Sequence, residues 1–236
     1  MNFRLYALGL AAAIAYAQED PSWMTKGVDA YRHAKYSEAI QCFEHAVTDD
    51  PQSADARLSL ALGYLAAYVP GEESRENRLL WKNAEENLRA ALEIDPRNLD
   101  AVLYLAQFYF DEAYAAPAAK KDEKLNQAQQ LYQKAAGINP KSKQAYYALG
   151  AIEWHKSSHR LDEAARQFNH ALELDSNYAD AMQYLAAIQR EKGDTPAADA
   201  LLARARKIRQ AKEHGPLPLE WPPPPVVFLP LPPAQR

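Results

Sequence analysis

The sequence has few glycines, a single cysteine and no excess of positive charge. Only 8 of the 236 residues are glycine, which disfavours turn-rich all-β folds and favours helices. The one cysteine, Cys42, excludes an internal disulfide framework and any metal site built from several thiolates. The formal net charge of -4 lacks the basic footprint of a general nucleic-acid binder, so nucleic acid is not expected as a partner.

Sequence signatures of catalytic sites are absent as well. The glycine-rich nucleotide-binding motifs, the HExxH zinc motif and the GxSxG nucleophile motif do not occur. His155 and His159 have the i, i+4 spacing of two metal ligands, but the intervening Lys156, Ser157 and Ser158 indicate a solvated turn. The sequence therefore predicts a chain that is not an enzyme and that has no catalytic residue, cofactor or metal site.

Residues 1–17 have the three parts of a secretory signal peptide. Arg4 supplies the positive charge, an apolar run extends from Leu5 to Ala15, and small residues precede Gln18. The run of 11 residues is shorter than the ~20 that a permanent membrane-spanning helix needs. We expect an exported chain that begins at Gln18, and the short signal with its AxA-type end, together with the lack of disulfides, favours a bacterial periplasm or the cell exterior. An uncleaved anchor and an ordinary first helix are the alternatives.

A repeated spacing of small and large residues follows the signal. Alanine, a large apolar residue and alanine stand twelve, eight and five positions before each of Pro51, Pro96, Pro140 and Ser176. A large and a small residue follow each of these four residues at nine and ten positions. Alanines seven apart lie on one helical face, and proline ends a helix, so each unit is predicted to be two antiparallel helices.

This pattern resembles the tetratricopeptide repeat family over about 190 residues, roughly 20–210. The first unit carries the resemblance most clearly, at Trp23, Gly27, Tyr36, Ala39, Phe43, Ala46 and Pro51. The resemblance implies an all-α, right-handed superhelical solenoid of about five antiparallel helix pairs within residues 18–214, which acts as a protein-interaction scaffold. The repeats are expected at about 20–53, 54–98, 99–142, 143–178 and 179–212.

Units two and three are longer than the family's usual repeat of about 34 residues. Pro51 to Pro96 is 45 residues and Pro96 to Pro140 is 44. Turn-forming residues at 69–73 and 115–117 place both insertions between the paired helices, which we expect to be lengthened. Two interpretations are open: the long hairpins pack on each other, or they form a docking edge.

A mostly apolar stripe on the first helices is the candidate binding site. Positions seven, eleven and fourteen after each unit's end are expected to line the concave side of the superhelix. The stripe consists of Met24, Val28, Tyr31, Leu58, Leu62, Leu65, Leu103, Gln107, Phe110, Tyr147 and Trp154. Exposed apolar surface of this extent needs a cover, which favours an apolar peptide or partner segment as the ligand.

Two alternatives to a peptide groove stay open. In a tight superhelix the same residues pack on neighbouring helices and leave no trough. In a cell-envelope carbohydrate-binding module, Tyr31, Tyr147 and Trp154 stack on sugar rings. We expect a monomer with a protein or peptide partner. A membrane surface is compatible with the basic stripe at 204–212 but is not required.

Residues 215–236 form a proline-rich tail in which 9 of 22 residues are proline. Such a segment favours extended polyproline II conformation. It also carries large apolar residues, and the expected contacts are Leu217, Leu219, Trp221 and Phe228. Three interpretations remain: the tail docks on its own repeats and modulates the groove, it binds another protein, or it stays disordered.

Overall fold

The computed structural model describes residues 22–212. These residues form ten α-helices, joined by turns and loops, and contain no strand. The predicted signal peptide and the four predicted tail contacts, Leu217, Leu219, Trp221 and Phe228, lie outside these residues. The helices are α1 (Trp23–Arg32), α2 (Tyr36–Asp49), α3 (Ala54–Ala67), α4 (Arg75–Ile94), α5 (Leu99–Ala115), α6 (Ala118–Ile138), α7 (Lys143–His155), α8 (Leu161–Leu174), α9 (Ala179–Glu191) and α10 (Thr195–Lys212). The predicted all-α fold is confirmed.

Consecutive helices pair into five antiparallel hairpins, from α1–α2 to α9–α10. The second helix of each hairpin also packs against the first helix of the next hairpin. Contacts between helices therefore run mainly between neighbours along the array, which is the arrangement of a solenoid. None of the described helices is both long and apolar enough to cross a bilayer.

Polar residues at many of the helix ends satisfy free backbone groups. Serine or asparagine caps α3, α4, α5 and α7, and its side chain accepts a backbone N–H from the first turn. The second helices end at Asp50, Asp95, Asn139 and Asp175, whose side-chain oxygens accept the N–H two residues later. The last of these turns precedes serine instead of proline, so the Asx turn is sufficient to end the helix.

The small residues of the repeat allow paired helices to approach closely. A Cβ atom added to Gly27 would lie 2.5 Å from the ring of Phe43, and one added to Gly150 would lie 2.8 Å from the ring of Phe168. Both rings are fully buried. Glycine is therefore required at these two positions by the packing of the neighbouring helix.

The insertions lengthen the second helices of units two and three. α4 has 20 residues and α6 has 21, whereas α2 and α8 have 14 each. The expectation that both helices of each pair are longer is wrong for unit two, because α3 keeps 14 residues and the chain continues into a loop at 68–74. This loop connects the C-terminal end of α3 to the N-terminal end of α4.

Candidate functional site

Six of the eleven predicted groove residues are buried in the core. Their side chains are between 0% and 8% exposed: Leu58, Leu62, Leu103, Phe110, Tyr147 and Trp154. The expectation that they line an open trough is wrong, because α3, α5 and α7 each lie between their own partner helix and the second helix of the preceding unit. In α7, 9 of 13 residues are buried, against 3 of 14 in α8. The alternative in which the stripe packs on neighbouring helices is correct for these residues.

The other five predicted groove residues, Met24, Val28, Tyr31, Leu65 and Gln107, are partly exposed. Met24, Val28 and Tyr31 belong to α1, where they pack against the edge of the main core. Leu65 and Gln107 instead face a cavity between units two and three. The structure thus separates the predicted stripe into core, edge and cavity residues.

The rings proposed for sugar stacking are not available as a set. Tyr147 is enclosed by the rings of Tyr178 and Tyr184, at centroid distances of 4.9 and 5.9 Å. Trp154 lies 4.9 Å from His159 and 5.9 Å from Tyr184, in edge-on contacts. Stacking on a sugar needs an exposed ring face, so the carbohydrate alternative is not favoured.

The two histidines considered as metal ligands bind separate protein partners. His155 Nε2 lies 2.9 Å from the Tyr184 hydroxyl, and His159 contacts the Trp154 carbonyl and the Glu191 carboxylate. Within residues 22–212, no group of three or more histidine, cysteine, aspartate or glutamate residues is placed to hold a metal ion.

The cavity between units two and three, which we call the inter-hairpin cavity, has a volume of about 1110 Å³. The end of α3, the loop at 68–74 and α4 form one side. The second half of α5, the turn at 115–116 and α6 form the other. Both predicted insertion turns therefore border the same space, and the two inserts meet there. Five aromatic residues line it: Tyr68, Trp81, Tyr104, Phe108 and Tyr114.

Trp81 is the central ring of the inter-hairpin cavity. Its ring stacks on Phe108 of the next unit at 4.1 Å and tilts against Tyr68 of its own unit at 4.7 Å. Its indole N–H donates to Glu112 Oε1 at 3.3 Å. These contacts fix the ring across the boundary between the two units while part of its surface stays exposed.

A buried asparagine holds the insertion loop in place. Asn77 is only 4% exposed and its side-chain amide donates to the carbonyls of Val69 and Glu72 at 2.7 and 2.8 Å. Its Oδ1 accepts the N–H of Val69 at 2.8 Å. Gly71 has a φ of +83°, a conformation that disfavours other residues. The loop wall of the cavity is therefore an ordered structure built on α4.

Polar groups lie among the aromatic walls. Gln107 donates to Asp111 Oδ1 at 2.7 Å and accepts from the Tyr132 hydroxyl at 3.1 Å. The concave surroundings desolvate Asp111 and raise the pKa of its carboxyl to about 6, against the lowering effect of the Gln107 hydrogen bond. Lys124 Nζ lies 2.6 Å from Glu112 Oε2. The cavity thus combines broad apolar faces with a few oriented hydrogen-bonding groups.

The aromatic residues of the cavity were not predicted from the sequence. The groove prediction used fixed positions within each repeat, and Tyr68 and Trp81 are not among these positions because they flank the insertion of unit two. A usable signal existed, since tyrosine and tryptophan accumulate within a few turns of both insertions. The interpretation of the inserts as a docking edge pointed to this region, although it named no residue of it.

Comparison with known proteins agrees with this architecture. Residues 24–67 match the family model described as Tetratricopeptide repeat. This match covers α1 to α3, the first unit and the first helix of the second.

A curated relative shares a longer stretch at low identity. It is the probable UDP-N-acetylglucosamine--peptide N-acetylglucosaminyltransferase SPINDLY of Hordeum vulgare, 25% identical over 180 residues. The match covers 71% of this chain but only 17% of that protein.

Solved structures match over most of the chain. A crystal structure of MamA superposes with a TM-score of 0.60 at 19% identity, covering 80% of this chain and 97% of MamA. TTC0263, described as a thermophilic TPR protein of Thermus thermophilus, gives 0.58 at 22% identity and covers 81% and 95%. At these identities the likeness shows the fold, a tetratricopeptide-type helical solenoid.

Proposed function

We propose that this chain is an exported protein-interaction scaffold that binds an extended apolar peptide segment in the inter-hairpin cavity. The observation that carries the proposal is the set of five aromatic rings around about 1110 Å³, where two lengthened hairpins meet. The tetratricopeptide-type fold supports it, because such repeats generally serve as protein-binding scaffolds.

The size and lining of the cavity favour a peptide over a small metabolite. The volume of about 1110 Å³ lies at the upper end of the ~300–1,000 Å³ usual for ligand pockets, which is enough for several side chains at once. Aromatic side chains offer large contact areas at a small loss of rotamer entropy, and Trp81 is already fixed by Phe108 and Glu112. An apolar segment therefore meets a surface that is largely ordered before binding.

The polar groups of the cavity suit an extended backbone. The Asp111 carboxylate can accept peptide N–H groups, and the Lys124 ammonium can donate to peptide carbonyls. Both lie in the lining, on α5 and α6. An extended peptide leaves its own N–H and C=O groups free, so burial needs such partners.

Export and a periplasmic or extracellular location are part of the proposal and are supported by residues 1–17 of the sequence. Sequencing the N-terminus of the exported product tests it. We expect the mature chain to begin at Gln18. A chain retained inside the cell with Met1 in place would contradict this part.

Selection from a random peptide library on the immobilised full chain tests the binding site. We expect enrichment of peptides with spaced apolar residues, and Trp81→Ala should weaken the selected peptides at least tenfold, equal to about 1.4 kcal/mol. Trp23→Ala is the matched control, because Trp23 is 38% exposed in unit one and is stacked on His45. Equal binding by the Trp81 variant would overturn the assignment of the site.

A further inference from the structure

We propose that the inter-hairpin cavity is occupied in the isolated protein by the chain's own proline-rich tail, with residues 226–231 in the cavity and Phe228 against Trp81. The inference rests on the proposed function, because it assumes that the cavity binds peptides. It adds the identity of the resident ligand and makes the tail an internal competitor of any partner.

The chemistry of the segment matches the lining. Proline-rich segments adopt polyproline II conformation and dock in grooves lined by aromatic rings. The three-residue period places Phe228 and Leu231 on one face of such a segment. Proline has already restricted the backbone, so binding orders less chain than it would for an ordinary peptide.

Charge also favours this occupant. Residues 221–235 contain no charged side chain. Docking therefore buries no ionised group beside Asp111, which the cavity already desolvates. A charged segment at this place would have to lose its own hydration on burial, a cost that an uncharged segment does not have.

The length of the chain after α10 determines which residues reach the cavity. α10 ends at Lys212 beside the beginning of α9, where Arg209 donates to Asp180 and Gln183. The cavity lies at the opposite ends of the helices and two units away. The two directions are perpendicular: ~20 Å along a helix, and ~40 Å across two units of two helices each at ~10 Å per helix, so the straight diagonal to the cavity is roughly 45 Å.

Extended chain covers about 3.1 Å per residue in polyproline II conformation. From Lys212, Trp221 reaches only about 28 Å, whereas Phe228 reaches about 50 Å. The distance to the cavity therefore favours the apolar run at 226–231 as the occupant. Trp221 has the larger side chain but is too close to α10 to reach the cavity.

Indole N–H signals in nitrogen-15 NMR spectra test the proposal on the full chain. The protein has four tryptophans, and Trp81→Phe identifies the Trp81 signal. A nitroxide spin label is attached at Val226→Cys in a Cys42→Ala background, so that Phe228 stays intact. We expect the Trp81 signal to lose most of its intensity and the signal of the distant Trp23 to keep it.

A matched variant separates specific docking from chance proximity. Adding Phe228→Ala to the labelled chain should restore the Trp81 signal. The same change should make the selected library peptides bind several-fold more tightly, because the cavity is no longer occupied by a competitor. An unchanged Trp81 signal in the first labelled chain would overturn the proposal.

Two further outcomes are distinct. If an isotope-labelled chain without the spin label loses its Trp81 signal when mixed with spin-labelled chain, the occupant is a second copy and docking in cis is wrong. If the library peptides bind through Trp81 but the tail causes no broadening, only the tail assignment fails. If neither the tail nor any peptide depends on Trp81, the proposed function fails as well.

Discussion

Units three and four share the core spacing of the repeat but differ at the ends where their two helices connect. In unit four, α7 and α8 have 13 and 14 residues, and the short turn is closed by His159 in the left-handed region, with a φ of +43°. The rings of Trp154 and Tyr184 fill that end. In unit three, α5 and α6 have 17 and 21 residues. Their connected ends and the insertion loop of unit two line the inter-hairpin cavity from opposite sides.

The comparison separates the close-packed repeat from the inserted segments, where we propose that binding occurs. The positions that repeat in every unit pack paired helices together in a close-packed core. The insertions extend beyond that core, and Tyr68 and Tyr114 beside them are partly exposed. Function in such a solenoid is therefore expected where a unit departs from the repeat.

The largest effect is expected in the regular core. Phe168 is fully buried between α7 and α8 and stacks on Tyr184 at 4.8 Å. Phe168→Ala should lower the free energy of unfolding by about 3–5 kcal/mol, because it leaves a cavity in a close-packed core. Urea denaturation followed by circular dichroism measures it. A loss below that of Tyr114→Ala, a partly exposed ring of the cavity, would contradict the separation.

A smaller effect is expected at the insertion loop. Asn77→Ala removes all three side-chain hydrogen bonds to the loop backbone and should destabilise the protein by about 1–3 kcal/mol. It should also weaken peptide binding, because the loop forms one wall of the inter-hairpin cavity. Asn126→Ala, on the exposed face of α6, is the control. Binding that survives the loss of the loop contacts would remove the loop from the site.

Two glycine-to-alanine variants should change the stability of the protein in opposite directions. Gly150→Ala places a methyl group against the buried ring of Phe168 and should destabilise by about 1–3 kcal/mol, despite the better helix propensity of alanine. Gly137 in α6 has open space at the corresponding point, so Gly137→Ala should stabilise by about 0.5–1 kcal/mol. Thermal unfolding of both variants measures the difference. The same sign for both would refute the packing argument.

The smallest effect concerns Asp111. Its folded-state pKa of about 6 lies above the ordinary 3.8, so the unfolded chain loses the proton first as the pH rises. Its contribution therefore lowers stability between about pH 4 and pH 6, by under about 1 kcal/mol because the side chain keeps contact with solvent in spite of its concave surroundings. Asp111→Asn should remove this part of the pH dependence. Identical pH profiles of the stability of both proteins would contradict it.

Periodicity was sufficient to predict the helices and their pairing. Small residues at fixed offsets require close helix crossings, and the structure places Gly27 and Gly150 against phenylalanine rings. Periodicity alone was insufficient for Phe110 and Trp154, which belong to helices that are apolar on most faces. Helices of this kind are usually buried. That signal could have corrected the groove prediction.

The inter-hairpin cavity could not be derived from local patterns. It depends on Trp81 meeting Phe108, two residues from different units whose distance is set by the insertion loop. Asn77 orders that loop through backbone contacts that no motif encodes. Loop conformation and the stacking of successive units had to be known together.

The stack of Trp81 on Phe108 crosses the joint between two units of the array. A ligand bound there would contact both units at once. Bending of the array between these units would break its contacts with one of them, so the ligand would oppose that motion. Occupancy of this one cavity should therefore reduce bending of the solenoid between units two and three.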